Sequence, residues 1–276
     1  MDRAVFERMA ELDQDHWWFT ARRRILASVI RRFVRPPADA RILELGCGTG
    51  HNLDMLGAFG VVDASELDDH ARTLAAKRLG RPVAKVALPD LSQFPADHYD
   101  LVALLDVLEH VPDDQGSLAA IFTRLKPGGA VLLSVPANPW MWSAHDVAHH
   151  HHRRYRKREI AALARETGFE IDLLSPFNTM LFPLIAGVRL VNKARGHDSA
   201  DDALPPAPVN RALDVIFGAE SALIGRLPFP FGVSLVAVLR RPAISAHENK
   251  NRMAIVGDDA SLPTVHPEQS AGKKVI

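Results

Sequence analysis

The sequence predicts an α/β protein: a doubly wound, seven-stranded, mostly parallel sheet with helices on both faces. Three observations lead there. From position 41 onwards, short apolar segments alternate with amphipathic ones at the spacing of βαβ units. Two of those segments, Leu101–Leu105 and Val131–Val135, are apolar runs, broken only by Ser134, as expected of strands buried on both sides. The first strand-like segment runs directly into alternating glycines and then a helix, a junction typical of such sheets.

A helix is expected over about Thr20–Phe33, where Ile25, Leu26, Val29, Ile30 and Phe33 recur at helical spacing. Arg22, Arg23, Arg24, Arg31 and Arg32 fill its other face, and Pro36-Pro37 ends it. Strands are then predicted at Arg41–Leu45, Val61–Ser65, Pro82–Ala87, Leu101–Leu105 and Ala130–Val135. Helices fall between them at Asn52–Phe59, Asp69–Leu79 and Ser117–Leu125, with Lys126-Pro127-Gly128-Gly129 as a turn. Lys157–Thr167 reads as a helix closed by Gly168, and Phe169–Leu174 and Val233–Leu239 as strands six and seven. Between these last two lies a helical insert (176–228), with helices at about Phe177–Lys193 and Val209–Leu227 and a Pro-rich link between them. The organisation is an N-terminal capping region (1–37), a main domain (38–242) and a polar, aperiodic tail (243–276) expected to be disordered.

Composition narrows the function classes. The 276 residues carry 33 basic and 33 acidic side chains, so no global field draws the chain to nucleic acid. One cysteine, Cys47, excludes an intramolecular disulfide and a Cys-rich zinc site. The start is acidic without an apolar signal core, and the most apolar stretches, Thr179–Val188 and Phe229–Leu239, are too short to cross a bilayer. A cytoplasmic protein is expected, with peripheral contact at the inner membrane face as an option for the insert.

The segment Ile42-Leu-Glu44-Leu-Gly46-Cys47-Gly48-Thr-Gly50 is the most informative. Its glycines let the backbone turn sharply and bring a ligand against main-chain N–H groups. The G-x-G-x-x-G dinucleotide fingerprint fails, because the third glycine would fall on His51 or Leu53. A P-loop is also excluded, since no Lys-Ser/Thr pair follows. Cys47 reads as a small loop filler rather than a nucleophile.

This segment resembles the first motif of class I S-adenosylmethionine-dependent methyltransferases, whose Rossmann-like fold matches the predicted sheet. Further motifs follow in order. Glu66 ends the second strand, where the family keeps an acid for the ribose hydroxyls; Asp63 is the competing acid. Tyr99-Asp-Leu-Val-Ala-Leu-Leu-Asp106-Val-Leu-Glu109-His110 resembles the fourth motif, and Leu125-Lys-Pro-Gly-Gly129 the turn before the fifth strand. The resemblance implies S-adenosylmethionine as cofactor, with Glu44 and Asp106 near its amino acid end, and Gly46, Cys47, Gly48 and Gly50 beneath it. Leu67 and Leu88 would flank the adenine. Many relatives hold an Asp where this chain has Leu88, so the adenine amine would be read by Asp90 or by a backbone carbonyl.

The loop after strand five, Pro136-Ala-Asn138-Pro-Trp140-Met-Trp142-Ser-Ala-His145-Asp146, stands where a methyl acceptor would approach. Trp140 and Trp142 offer flat walls for a sugar, an aromatic ring or a lipid chain, or else plug the core. His145-Asp146 is the expected acid–base pair, and Glu109-His110 its rival. Arg154 and Tyr155 are expected at the acceptor, where Arg153 and Arg154 would receive a phosphate or carboxylate. His145 and His149 stand at the i, i+4 spacing of a metal pair, but a consecutive run cannot converge on one ion, so His149–His152 reads as a solvated, partly basic loop and no metal is expected. The leader His16-Trp17-Trp18-Phe19 with Arg22-Arg23-Arg24, together with the His-Asp…Arg-Arg-Tyr stretch, resembles a bacterial subfamily linked to glycan, lipid or quinone pathways.

The expectation is therefore an S-adenosylmethionine-dependent O-methyltransferase acting on a small-molecule, glycan or lipid-linked acceptor. N-methylation is the nearest alternative, and a silent cofactor-binding scaffold of a membrane glycan or lipid pathway is another. An NAD-linked oxidoreductase is disfavoured by the failed fingerprint.

Overall fold

A computed structural model of the protein describes residues 3–195 and 204–243. The predicted tail beyond Ala243 and most of the Pro-rich link within the insert lie outside the described residues. Among those described, the sheet has six strands: β1 (Arg41–Leu45), β2 (Val61–Ser65), β3 (Tyr99–Leu105), β4 (Leu125–Pro136), β5 (Glu170–Phe177) and β6 (Ser234–Arg240). Their order is β2-β1-β3-β4-β6-β5, with only β6 running against the rest.

The third of the seven predicted strands, Pro82–Ala87, shrinks to an isolated parallel bridge between Ala84 and Ser65. Two hydrogen bonds hold it beside β2, Ala84 N–H to the Ala64 carbonyl and Glu66 N–H to the Ala84 carbonyl. Pro82 brings no N–H, so the ladder cannot extend backwards. The predicted turn Lys126–Gly129 is a bulge inside β4: the partners jump from Tyr99–Leu125 to Leu101–Ala130, with Gly128 at φ +81°.

The apolar strands alternate between two cores. Ile42, Leu101, Ala103 and Leu105 face one layer, while Leu43, Leu45, Val102 and Leu104 face the other. Helices fill both layers: α1 (Arg3–Leu12), α2 (Trp17–Val29), α3 (Leu53–Gly57), α4 (Asp69–Leu79), α5 (Asp114–Arg124), α6 (Ala144–Ala148), α7 (Lys157–Glu166), α8 (Phe182–Arg195) and α9 (Ala207–Leu223). Helix α2 starts earlier than its apolar pattern because the His16 side chain accepts from Trp18 N–H as an N-cap.

Helix α9 lies against α2. Arg24 pairs with Asp214 at 2.9 Å, Arg32 donates to the Ile224 carbonyl, and Trp17 meets Phe217 edge to face. Two arginines of the basic face, Arg24 and Arg32, thus reach the insert, while Arg31 stays exposed. Within the insert, α9 holds the segment that follows β5: the buried Glu220 carboxylate accepts the N–H groups of Asn178, Thr179 and Met180 at 2.6–2.8 Å.

Candidate active site

The carboxyl ends of β1–β4 open into one cavity of about 1820 Å³. Its floor is the glycine loop. Gly46 stands at φ +63°, and a Cβ there would come within 2.8 Å of Val107, so only glycine fits. Over Gly48 the opposite holds: an added Cβ would meet nothing within 4 Å, leaving open space above a φ of +57°. Cys47 is buried beneath, its thiol pushed well up by desolvation and by Glu44 and Glu66, which suits a loop filler and not a nucleophile.

Glu66 closes this floor. Its Oε2 accepts Gly48 N–H and its Oε1 accepts Asp68 N–H, both at 2.8 Å. Each oxygen keeps a second lone pair for a ligand hydroxyl. The competitor Asp63 is engaged elsewhere, with Tyr99 Oη, Arg41 and Arg81. Leu67, 55% exposed, and Leu88 both line the cavity. Asp90 is not among the lining residues and caps its own loop at Ser92 N–H.

Arg22 departs from the polar face expected of it: it is 1% exposed and points into the cavity. Its Nη2 reaches Asp106 Oδ2 at 2.5 Å and Ser134 Oγ at 2.9 Å, and its guanidinium lies 5.0 Å from the Trp18 ring centre. Its Nε has no hydrogen-bond partner. A signal was present: Arg22 stands three and four residues before Ile25 and Leu26, in line with the buried stripe. Beside it, Glu44 accepts from Asn52 Nδ2 at 2.9 Å, and burial pushes its carboxyl up to about 7.

On the acceptor side, Trp140 and Trp142 are 53% and 37% exposed and line the cavity, so they do not plug the core. His145 lines it too and stacks against His149 at 4.1 Å between ring centres. Asp146, its expected partner, is engaged with other groups. It is fully buried; Oδ1 meets His151 Nδ1 at 2.9 Å and Arg154 Nε at 2.7 Å, and Oδ2 takes Ser143 N–H. Desolvation opposes its charge, yet His151 and Arg154 outweigh it and hold the carboxyl well below the usual range.

Asp146 thus finds these partners five and eight residues on. Arg154 edges the cavity but is committed to Asp146 and to the Ala137 carbonyl. Tyr155 is buried, donates to Asp114 Oδ2 at 2.9 Å and is not among the lining residues. Of the four-histidine run, His150 and His152 are exposed as expected, but the His151 side chain turns inward, 8% exposed. There it joins the rival pair: His151 Nε2 lies 3.9 Å from Glu109 Oε1, and its ring is 4.7 Å from that of His110. Burial, with His151 next in weight, brings His110 down to about 4, while burial and then Asp106 push Glu109 well up.

The Gly48 cradle, the Glu66 carboxylate and the Arg22–Asp106–Glu44 group fit a nucleoside bearing an amino acid, as S-adenosylmethionine is. A doubly wound sheet with that cradle at the carboxyl edge of its strands defines the class I methyltransferase fold. The chain belongs to this family: a family model described as a methyltransferase domain matches residues 18–174. Among curated relatives it is 31% identical over 105 residues to the trans-aconitate 2-methyltransferase of Variovorax paradoxus, covering 37% of this chain and 40% of that one. It is 29% identical over 159 residues to the ubiquinone biosynthesis O-methyltransferase of Thiobacillus denitrificans, covering 51% and 68%. Across such relatives the chain spans between 40% and 68% of their length. Its fold is like that of the methyltransferase solved with the Trm112 methyltransferase activator of Haloferax volcanii. The TM-score is 0.57 at 19% identity, over 88% of this chain and 97% of that one.

Proposed function

We propose that the protein transfers the methyl group of S-adenosylmethionine to a hydroxyl oxygen of a small-molecule, glycan or lipid-linked acceptor. One observation carries this reading: the glycine loop with Glu66 and the Trp140–Trp142–His145 segment line the same cavity, so both substrates would meet in one enclosure. When bound, the cofactor supplies an electrophilic methyl on a sulfonium. Glu66 would hold its ribose, Arg22 its carboxylate, and Asp106 with Glu44 its ammonium. His145 would take the acceptor's proton, since an imidazole at the cavity wall suits transfer near neutral pH. Asp146 would serve the acceptor side by holding His151 and Arg154 in place.

The apolar acceptor is supported by α8, whose Leu184, Val188 and Leu190 line the cavity while 40–59% exposed. Peripheral contact at the inner membrane face would use the same side chains. No helix among the described residues is long and apolar enough to cross a membrane. The relatives named for ubiquinone biosynthesis O-methylation support an oxygen acceptor. The test is calorimetric titration of S-adenosylmethionine, followed by a screen of lipid-linked sugars and phenols for release of S-adenosylhomocysteine. His145→Ala is expected to lower kcat by about 10²–10⁴ with little change in cofactor affinity. Failure of the wild type to bind the cofactor would overturn the reading.

A further inference from the structure

We propose that Glu109, His110 and His151 form a binding site for a divalent transition-metal cation on the wall of the cavity. The three side chains come from two loops, after β3 and after α6, and their ligand atoms all lie within 4.8 Å of one another. Two imidazoles and one carboxylate are the donor set that zinc and iron(II) favour, and three protein ligands leave coordination positions open.

Glu109 is the observation that points to a ligand. It is 0% exposed, and neither carboxylate oxygen has a hydrogen-bond partner. A buried carboxylate is normally satisfied, so an orphaned one facing two imidazoles calls for a cation or a proton. The histidines are set up in the same sense. Asp146 can only accept, so the 2.9 Å contact puts a proton on His151 Nδ1 and leaves the Nε2 lone pair 3.9 Å from Glu109. A carboxylate behind a histidine is the usual support of a metal ligand. The His110 ring stands 4.7 Å from the His151 ring, edge to face, on the same side of Glu109. Ligands of one zinc ion sit about 3.4 Å apart, so the trio has to close by roughly an ångström, within reach of small side-chain rotations.

The exposed histidines make a weaker competitor. His150 and His152 face solvent and do not join this cluster. Cation binding at Glu109 stands independently of the methyl-transfer reading. What the cation would do there rests on that reading: its open positions take the acceptor's hydroxyl oxygen, lower the pKa of that hydroxyl, and favour acceptors with two adjacent oxygens.

The experiment is a titration of Co²⁺ into the metal-stripped full chain, read by visible absorption and by calorimetry, with S-adenosylmethionine binding as a check of folding. One Co²⁺ per chain is expected, displaced by Zn²⁺. Glu109→Gln and His151→Ala should each lose it while still binding S-adenosylmethionine, and Asp146→Asn should weaken it about 10- to 100-fold. The double variant His150→Ala/His152→Ala should leave it unchanged. No stoichiometric binding, or binding that survives Glu109→Gln and His151→Ala and disappears with His150 and His152, would overturn the proposal. Should the buried variants not fold, anomalous diffraction from wild-type crystals soaked in Zn²⁺ decides: a peak among the three side chains supports the site, and peaks only at the exposed histidines refute it. Cobalt binding in a chain that never takes S-adenosylmethionine would retain this site and remove the methyl-transfer reading.

Discussion

The two walls of the cavity are built on different plans. At the ribose end of the cofactor wall, the acid is satisfied by backbone close along the chain: Glu66 holds the Gly48 and Asp68 N–H groups, eighteen and two residues away. On the acceptor wall, charged side chains satisfy one another across loops: Asp146 holds His151 and Arg154, and His151 approaches Glu109 from a separate loop. Backbone donors cost no side-chain entropy and stay put in the empty protein, so the first wall is a preformed cradle. The second depends on buried ions keeping their partners, and removing any one leaves the others exposed to desolvation.

The largest effect should therefore come from the acceptor wall. Asp146→Ala strips the charge partner from an Arg154 side chain that is 2% exposed. A loss of about 3–5 kcal/mol is expected, visible as a fall of roughly 10 °C or more in Tm. A change within about 1 kcal/mol would mean that the two walls are built alike.

Glu44 sharpens the comparison from the cofactor side through pH. Its folded pKa, about 7, lies above its unfolded value, so the folded protein binds the extra proton. That stabilisation is complete below the unfolded value and is lost as pH rises through about 7. Glu44→Gln should remove up to about 3 kcal/mol of that pH dependence, seen as a flatter plot of unfolding free energy between pH 4.5 and 8. Equal slopes in both proteins would show that Glu44 is ionised when folded.

Next in size, Glu66→Ala should weaken S-adenosylmethionine by roughly ten- to a hundredfold, or about 1.5–3 kcal/mol, in a calorimetric titration. If affinity survives, the ribose contact lies elsewhere. The smallest stability effect belongs to Trp140→Ala. At 53% exposure its removal should shift the unfolding free energy by under about 1 kcal/mol, while raising KM for an apolar acceptor. A stability loss comparable to that of Asp146→Ala would return Trp140 to the core.

The legibility of the site follows the same division. Gly46–Gly50, Glu66, Leu67 and Leu88 were readable because strand–turn–helix geometry places near neighbours in sequence near in space, and all line or underlie the cavity. Adjacency suggests a His145–Asp146 pair, whereas Asp146 holds His151 and Arg154, five and eight residues on. The inward turn of His151 leaves no periodic trace in a run of four identical residues.

The alternation of apolar segments determined by itself the sheet, its two cores and the junctions at which ligands bind, since those depend on a side-chain period of two and on turns a few residues long. The sequence also contained the glycines whose positive φ the loop requires. Tertiary structure alone decided that Pro82–Ala87 remains a bridge, that Arg22 reaches Asp106 and Ser134, and that His151 rests on Asp146. Each of these depends on which distant element desolvates or neutralises the side chain, a many-body outcome that local spacing does not encode.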